Sequence, residues 1–188
     1  ANLAWSNFDN ANTYGATLTR ATITDSSFDR TMFVGADLTG ADLKGSKMGN
    51  VSLRAANLTG ADVSYTDMTA ANLWGTILTN ANLTGAVLTD ASGWSVNMAG
   101  ADLTGAVMTR SGSYVAGTLR ASDISGADLT GADLSGVDFS NTRMYGARQR
   151  SWTRWSPGVD PAAGGVVSRV LANADTVCDL ASFNGCET

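Results

Sequence analysis

Every five residues the chain returns to a large apolar side chain. If that residue is taken as the centre of a unit, centres fall at Leu3, Phe8, Leu18, Ile23, Phe28, Phe33, Leu38 and Leu43, and the series continues to Leu103 and Met108. Two positions before each centre stands a small residue, as at Ala16, Ala21, Ser26, Thr31, Ala36 and Ala41. A helix, with 3.6 residues per turn, cannot bury a five-residue period. In an extended segment alternate residues share a side, so the small residue and the centre face one way and the other three face out. Fixed-period self-similarity of this kind marks an architecture that buries its core by stacking units on one another.

The clearest copy of the unit runs from Ala36 to Leu43, reading Ala-Asp-Leu-Thr-Gly-Ala-Asp-Leu, and it recurs nearly verbatim at 101–105 and 127–134. With Asn alternating for Asp, the motif Ala-(Asp/Asn)-Leu-x-x covers roughly residues 1–147 and closely resembles the pentapeptide-repeat family. The resemblance implies an all-β chain, a right-handed quadrilateral β-helix of about seven coils. Each coil would take four units, hence twenty residues, and rungs would rise by about 4.8 Å.

Columns drawn at that spacing are coherent. One reads Leu3, Ile23, Leu43, Val63, Leu83, Leu103; a second reads Phe8, Phe28, Met48, Met68, Leu88, Met108; a third reads Leu18, Leu38, Leu58, Leu78, Met98. The fourth is irregular, with Thr13, Phe33, Leu53, Leu73, Gly93 and Ser113. Later centres, at Leu119, Ile124, Leu129, Leu134, Phe139 and Met144, come one residue late. That slip places a single extra residue within Thr109–Thr118, as a bulge or small loop.

The repeat stops at Arg148, which divides the chain into a solenoid, 1–147, and a cap, 148–188. The cap opens with a basic and aromatic run, Arg148 to Trp155, followed by Pro157 and Pro161. Beyond it Val166, Val167, Val170, Leu171 and Ala174 fall at helical spacing, which predicts a helix over 162–177. Its apolar side, with Trp152 and Trp155, would plug the last coil, since solenoid ends expose core and unpaired edges. Cys178 and Cys186, the only two cysteines, read as a disulfide closing the final loop of an exported protein. At the other end Ala1 already lies in register, so an open rung of Leu3, Trp5 and Phe8 is expected to offer a stacking edge.

Chemistry is sparse. Histidine is absent, which removes the commonest general base and metal ligand. The hydroxyl residues occupy repeat positions with no base to activate them, and no glycine run cradles phosphate before a helix. Neither an enzyme, a cofactor nor a metal is expected. No stretch approaches the roughly 20 apolar residues of a membrane span. The formal charge is -5, carried almost wholly by Asp, which argues against direct binding to nucleic acid.

The outward positions are more informative. Asp42, Asp62 and Asp102, with Asn82 between them, fall twenty apart and should form an acidic stripe. Beside the irregular column Tyr14, Val34, Arg54, Trp74, Trp94 and Tyr114 should form an aromatic stripe of the kind enriched at interfaces. Thr19, Thr39, Thr59 and Thr79 make a ladder with some flavour of an ice-binding face, although Thr also suits exposed strands. The reading that follows is an exported, non-enzymatic scaffold that associates with itself, into a dimer or filament, through the open rung, the aromatic stripe or both. Two alternatives stay open. Some members of the family that the chain resembles are acidic rods that imitate DNA and bind DNA gyrase, and exposed aromatics also serve carbohydrate-binding surfaces.

Overall fold

Five residues make one side of a coil because each of their backbone N–H groups has a defined partner. In the unit around Leu38, the Leu38 N–H donates to Asn57 O, the Gly40 N–H to Thr59 O, and the Ala41 N–H back to Leu38 O, closing a turn. The Asp42 N–H, opening the next unit, reaches back one coil to Ala21 O. That leaves the Thr39 N–H, which Asp37 Oδ1 accepts at 3.0 Å. The same side-chain bond recurs from Asn2, Asp42, Asn57, Asp62, Asn72, Asn82 and Asp102 to the residue two positions on. This is why the motif demands Asp or Asn before the centre: an unpaired backbone donor at every corner would be costly.

The structure, a computed structural model, describes residues 1–109, 119–135, 137, 139, 141–149, 152–156, 158–163, 165, 167–172 and 176–179. From Asn2 up to Val107 the ladder pairs one residue of each unit in parallel with the residue twenty later, as in Asn2 with Thr22, Asp42 with Asp62 and Val87 with Val107. Four sides per coil follow from that offset and the five-residue turn. The chain is therefore a β-helix, with its core inside the coil. Ile23, Leu43, Val63, Leu83 and Leu103 are fully buried in one column, and Leu38, Leu58, Leu78 and Met98 in another. Phe8 and Phe28 stack face to face at 5.2 Å between centroids. Buried hydroxyls at the small position donate to the coil before: Thr31 Oγ1 to Phe8 O, Ser46 Oγ to Ile23 O, Thr76 Oγ1 to Leu53 O.

The extra chain within Thr109–Thr118 is larger than a single residue. Asn97 pairs with Asp123, Asp102 with Asp128 and Val107 with Asp133, each 26 apart. Strands β1 (Gly93–Trp94) and β2 (Leu119–Arg120) pair with the same offset. One coil thus holds six additional residues. A repeat phase registers only the remainder after division by five, so six looked like one. As a result Leu119, and not Ser113, continues the irregular column above Gly93.

Gly93 itself leaves a hole there. A void of about 20 Å³ has Leu73, Leu88, Met108 and Leu119 around it, with Gly93 contributing no side chain. Gly93→Ala is expected to add about 0.5–1 kcal/mol, seen as a rise of a few degrees in a thermal melt.

Towards the C-terminus the ladder outlasts the motif. Strand β3 (Asp133–Leu134) pairs with β5 (Arg154–Trp155), and β4 (Arg148–Gln149) pairs with β6 (Val167–Ala172), both in parallel. The helix expected over 162–177 is not formed. Strand β6 instead turns back antiparallel on β7 (Thr176–Asp179), and among the described residues there is no helix. A short apolar run has no decisive period of its own. The open edge of β4 and the β-branched Val167 and Val170 settle it as strand. Trp155 is half-buried, packs against Phe139 at 5.3 Å and donates its Nε1–H to Gln149 Oε1. Trp152, expected to join it in the plug, is 76% exposed. The Cys178–Cys186 pairing lies outside the described residues, because Cys186 does.

Candidate functional site

The coil has four sides, and they differ in charge. The first side (41–45, 61–65 and so on) carries the acidic stripe: Asp42 pairs with Asp62, Asp62 with Asn82, Asn82 with Asp102, and Asp102 with Asp128. Each of these acids commits one carboxylate oxygen to the backbone N–H two residues on. Asp62 also accepts from Asn82 Nδ2 at 3.3 Å, so the Asn within the stripe bridges neighbouring rungs. On the fourth side, Asp37 receives the Thr39 hydroxyl and backbone N–H, which hold its carboxyl below the usual carboxylate range. Such a group stabilises the fold when ionised, and that contribution fades as pH falls through the lowered pKa. The Thr39 and Thr59 hydroxyls bond to Asp37 and Asn57 on their own strand, so half of the Thr ladder is turned inward to the corner.

The third side is opposite the first, two corners away along the coil. Its described units (11–15, 31–35, 51–55, 71–75, 91–95 and 119–121) contain no Asp or Glu. In its outward column Arg54, Trp74 and Trp94 stand on successive rungs. Trp74 and Trp94, on successive rungs, meet edge to face with centroids 5.8 Å apart, and the Arg54 guanidinium sits 5.8 Å from the Trp74 ring. Both contacts lie in the range where aromatic pairs and cation–π pairs are favourable. The tryptophans remain 46% and 49% exposed. They wall an open groove of about 570 Å³, floored by Val34, Ala55, Gly75 and Ser95. The Trp74 N–H donates to Asn72 Oδ1, and the Gly75 N–H to Trp94 O, so the backbone beneath both rings is pinned.

The remaining expected residues are placed less tightly. Tyr14 lies two rungs before Arg54 and is 75% exposed. Tyr114 lies outside the described residues, and the rung it was assigned to is taken by Arg120, the ladder partner of Trp94. Sequence reasoning missed Arg120 because the six-residue insertion shifted it out of column. Of the first rung, Leu3 and Phe8 pack against the core while Trp5 is 80% exposed. A second cation–π pair, Lys44 at 5.9 Å from the Tyr65 ring, sits at a corner of the acidic side. Among the described residues no group of His, Cys, Asp and Glu could hold a metal ion.

No curated protein matches the chain. Among solved structures, the chain is similar to HetL, a pentapeptide repeat protein involved in heterocyst differentiation regulation in the cyanobacterium Nostoc sp. strain PCC 7120. The two are 26% identical over 82% of this chain and 74% of HetL, with a TM-score of 0.39. QnrB1, a plasmid-mediated fluoroquinolone resistance protein, is 17% identical over 89% of this chain and 93% of its own, with a TM-score of 0.45. A pentapeptide repeat protein of the Arabidopsis thaliana thylakoid lumen is 29% identical over 57% of this chain and 68% of its own, with a TM-score of 0.18. The profile described as "Pentapeptide repeats" matches in 8 copies, over residues 1–40, 36–75, 67–110 and 118–148. With its five-residue turn, its twenty-residue ladder and this match over most of its length, the chain belongs to the pentapeptide-repeat family, whose members form right-handed β-helices.

Proposed function

We propose that the protein is a non-enzymatic scaffolding rod of an exported compartment that associates with further copies of itself through its third side. The observation that carries this reading is the Trp74–Trp94 pair. Two large rings are fixed edge to face on a rigid ladder, half exposed, with Arg54 over one of them. The core does not require Trp74, since Leu73 fills the interior of its unit. Clustered Trp and Arg are the residues that dominate protein interfaces when desolvated. Support for export is the pair Cys178 and Cys186 in a chain with no other cysteine. Replacing both Trp74 and Trp94 by Ser is expected to lower the average mass seen by light scattering across a concentration series, with the circular dichroism unchanged. Equal masses for wild type and variant would end the reading.

The acidic stripe gives the DNA-mimic alternative its one favourable observation, but the charge density is low. Nine rungs from Asn2 to Val167 span about 38 Å at the usual strand spacing. A net charge of -5 over that length is roughly one per 8 Å, against about one per 1.7 Å along duplex DNA. The aromatic side therefore outranks the acidic one as the primary contact.

A further inference from the structure

We infer that the copy bound on the third side presents its own first side, so that the rods stack side by side, in parallel, into an open-ended array. The inference rests on the self-association proposed above and names the surface that completes it. Three observations support it. The two sides are opposite faces of one coil, so a translation that brings one onto the other can repeat without limit. Their chemistry is complementary: from 11–15 to 91–95 the units of the third side carry Arg54 beside the Trp pair and no acid, while the first side carries Asp42, Asp62, Asp102 and Asp128. Their spacings also agree. Arg54, Trp74, Trp94 and Arg120 occupy four successive rungs, about 14 Å from end to end, as do Asp62, Asn82, Asp102 and Asp128.

A neighbour displaced by one rung places Asp62 opposite Arg54, with Asn82 and Asp102 over the two tryptophans. Without the displacement Asp42 would face Arg54, bringing Lys44 close to it. The shifted register leaves Lys44 at its own corner beside Tyr65. The same patch is not used on both copies, so the contact is heterologous. Related by translation alone, it cannot close into a ring and must grow.

A charge-reversal cycle on the full chain, followed by sedimentation velocity and negative-stain microscopy, tests this. Wild type should form elongating assemblies with rising concentration. Arg54→Glu alone, or Asp62→Arg alone, sets like charges face to face and should raise the concentration needed for assembly at least tenfold. The double variant restores an opposite pair, and so does an equimolar mixture of the two singles; both should assemble near the wild-type concentration. Asp62→Asn keeps an acceptor for the Ser64 N–H and so guards against misfolding; it should weaken assembly by a smaller factor. If wild type assembles while the single reversals change nothing, or if it stops at a closed dimer, the stacking is overturned and the broader self-association stands. A wild type that stays monomeric at every concentration overturns both.

Discussion

Leu78→Ala is expected to destabilise the protein by about 3 kcal/mol, in the upper range for single substitutions. Leu78 is completely buried in the column of Leu58 and Met98, and its neighbours are held by ladder bonds above and below. A parallel ladder with a fixed rung spacing cannot close in on a deleted side chain, so most of the hole should persist, and the persisting hole adds to the lost transfer energy. Denaturant unfolding should show a lower midpoint with an unchanged slope. Leu78→Met is the control: it conserves volume, Met98 already occupies the same column one rung on, and the cost should stay below about 1.5 kcal/mol.

The second large effect is expected at a corner. Corner residues have positive φ, and both Gly and larger residues occupy them, as with Gly60 at 64° and Tyr65 at 55°. What separates one corner glycine from another is the side chain lying over it. Beside Gly60 there is open space, so Gly60→Ala should cost only the left-handed backbone, about 1–2 kcal/mol. At Gly85 a Cβ would sit 2.8 Å from two carbons of the Tyr65 ring, which lies over it from the previous rung. Gly85→Val adds that clash to a β-branched side chain at positive φ, and a loss of about 3 kcal/mol or more is expected. Adding Tyr65→Ala should recover part of it. A double-mutant cycle would read this as a coupling of the two positions, and additive losses would show that the ring is not what excludes the side chain.

Much of this was legible in the residues, for identifiable reasons. Burial of Leu38 and Ala36 on one side of an extended unit follows from spacing alone, and the twenty-residue columns were visible because a stacked core sorts Phe8 with Phe28 and Leu58 with Leu78. Arg54, Trp74 and Trp94 were brought together for the same reason. The length of the insertion was not legible, since six residues and one shift the phase of a five-residue repeat equally. Arg120 was hidden by that ambiguity. The helical spacing within 162–177 misleads because the partner of 167–172 is an edge at Arg148–Gln149, and a pairing between distant segments leaves no period in the local sequence. The role of Asp and Asn as acceptors for the corner N–H was likewise invisible until the backbone bonds could be counted.

The ladder also determines how the molecule would yield under tension. In the regular part of the solenoid each coil is bonded only to the coil on either side, and contacts there reach no further than one turn along the chain. Pulled from its two ends, such a rod has no single seam whose failure releases everything. It would pay out one coil at a time, each detachment freeing twenty residues, about 70 Å of slack. The coil that holds 26 residues would give a longer step, about 90 Å, a built-in mark by which position along the rod could be told from a force trace.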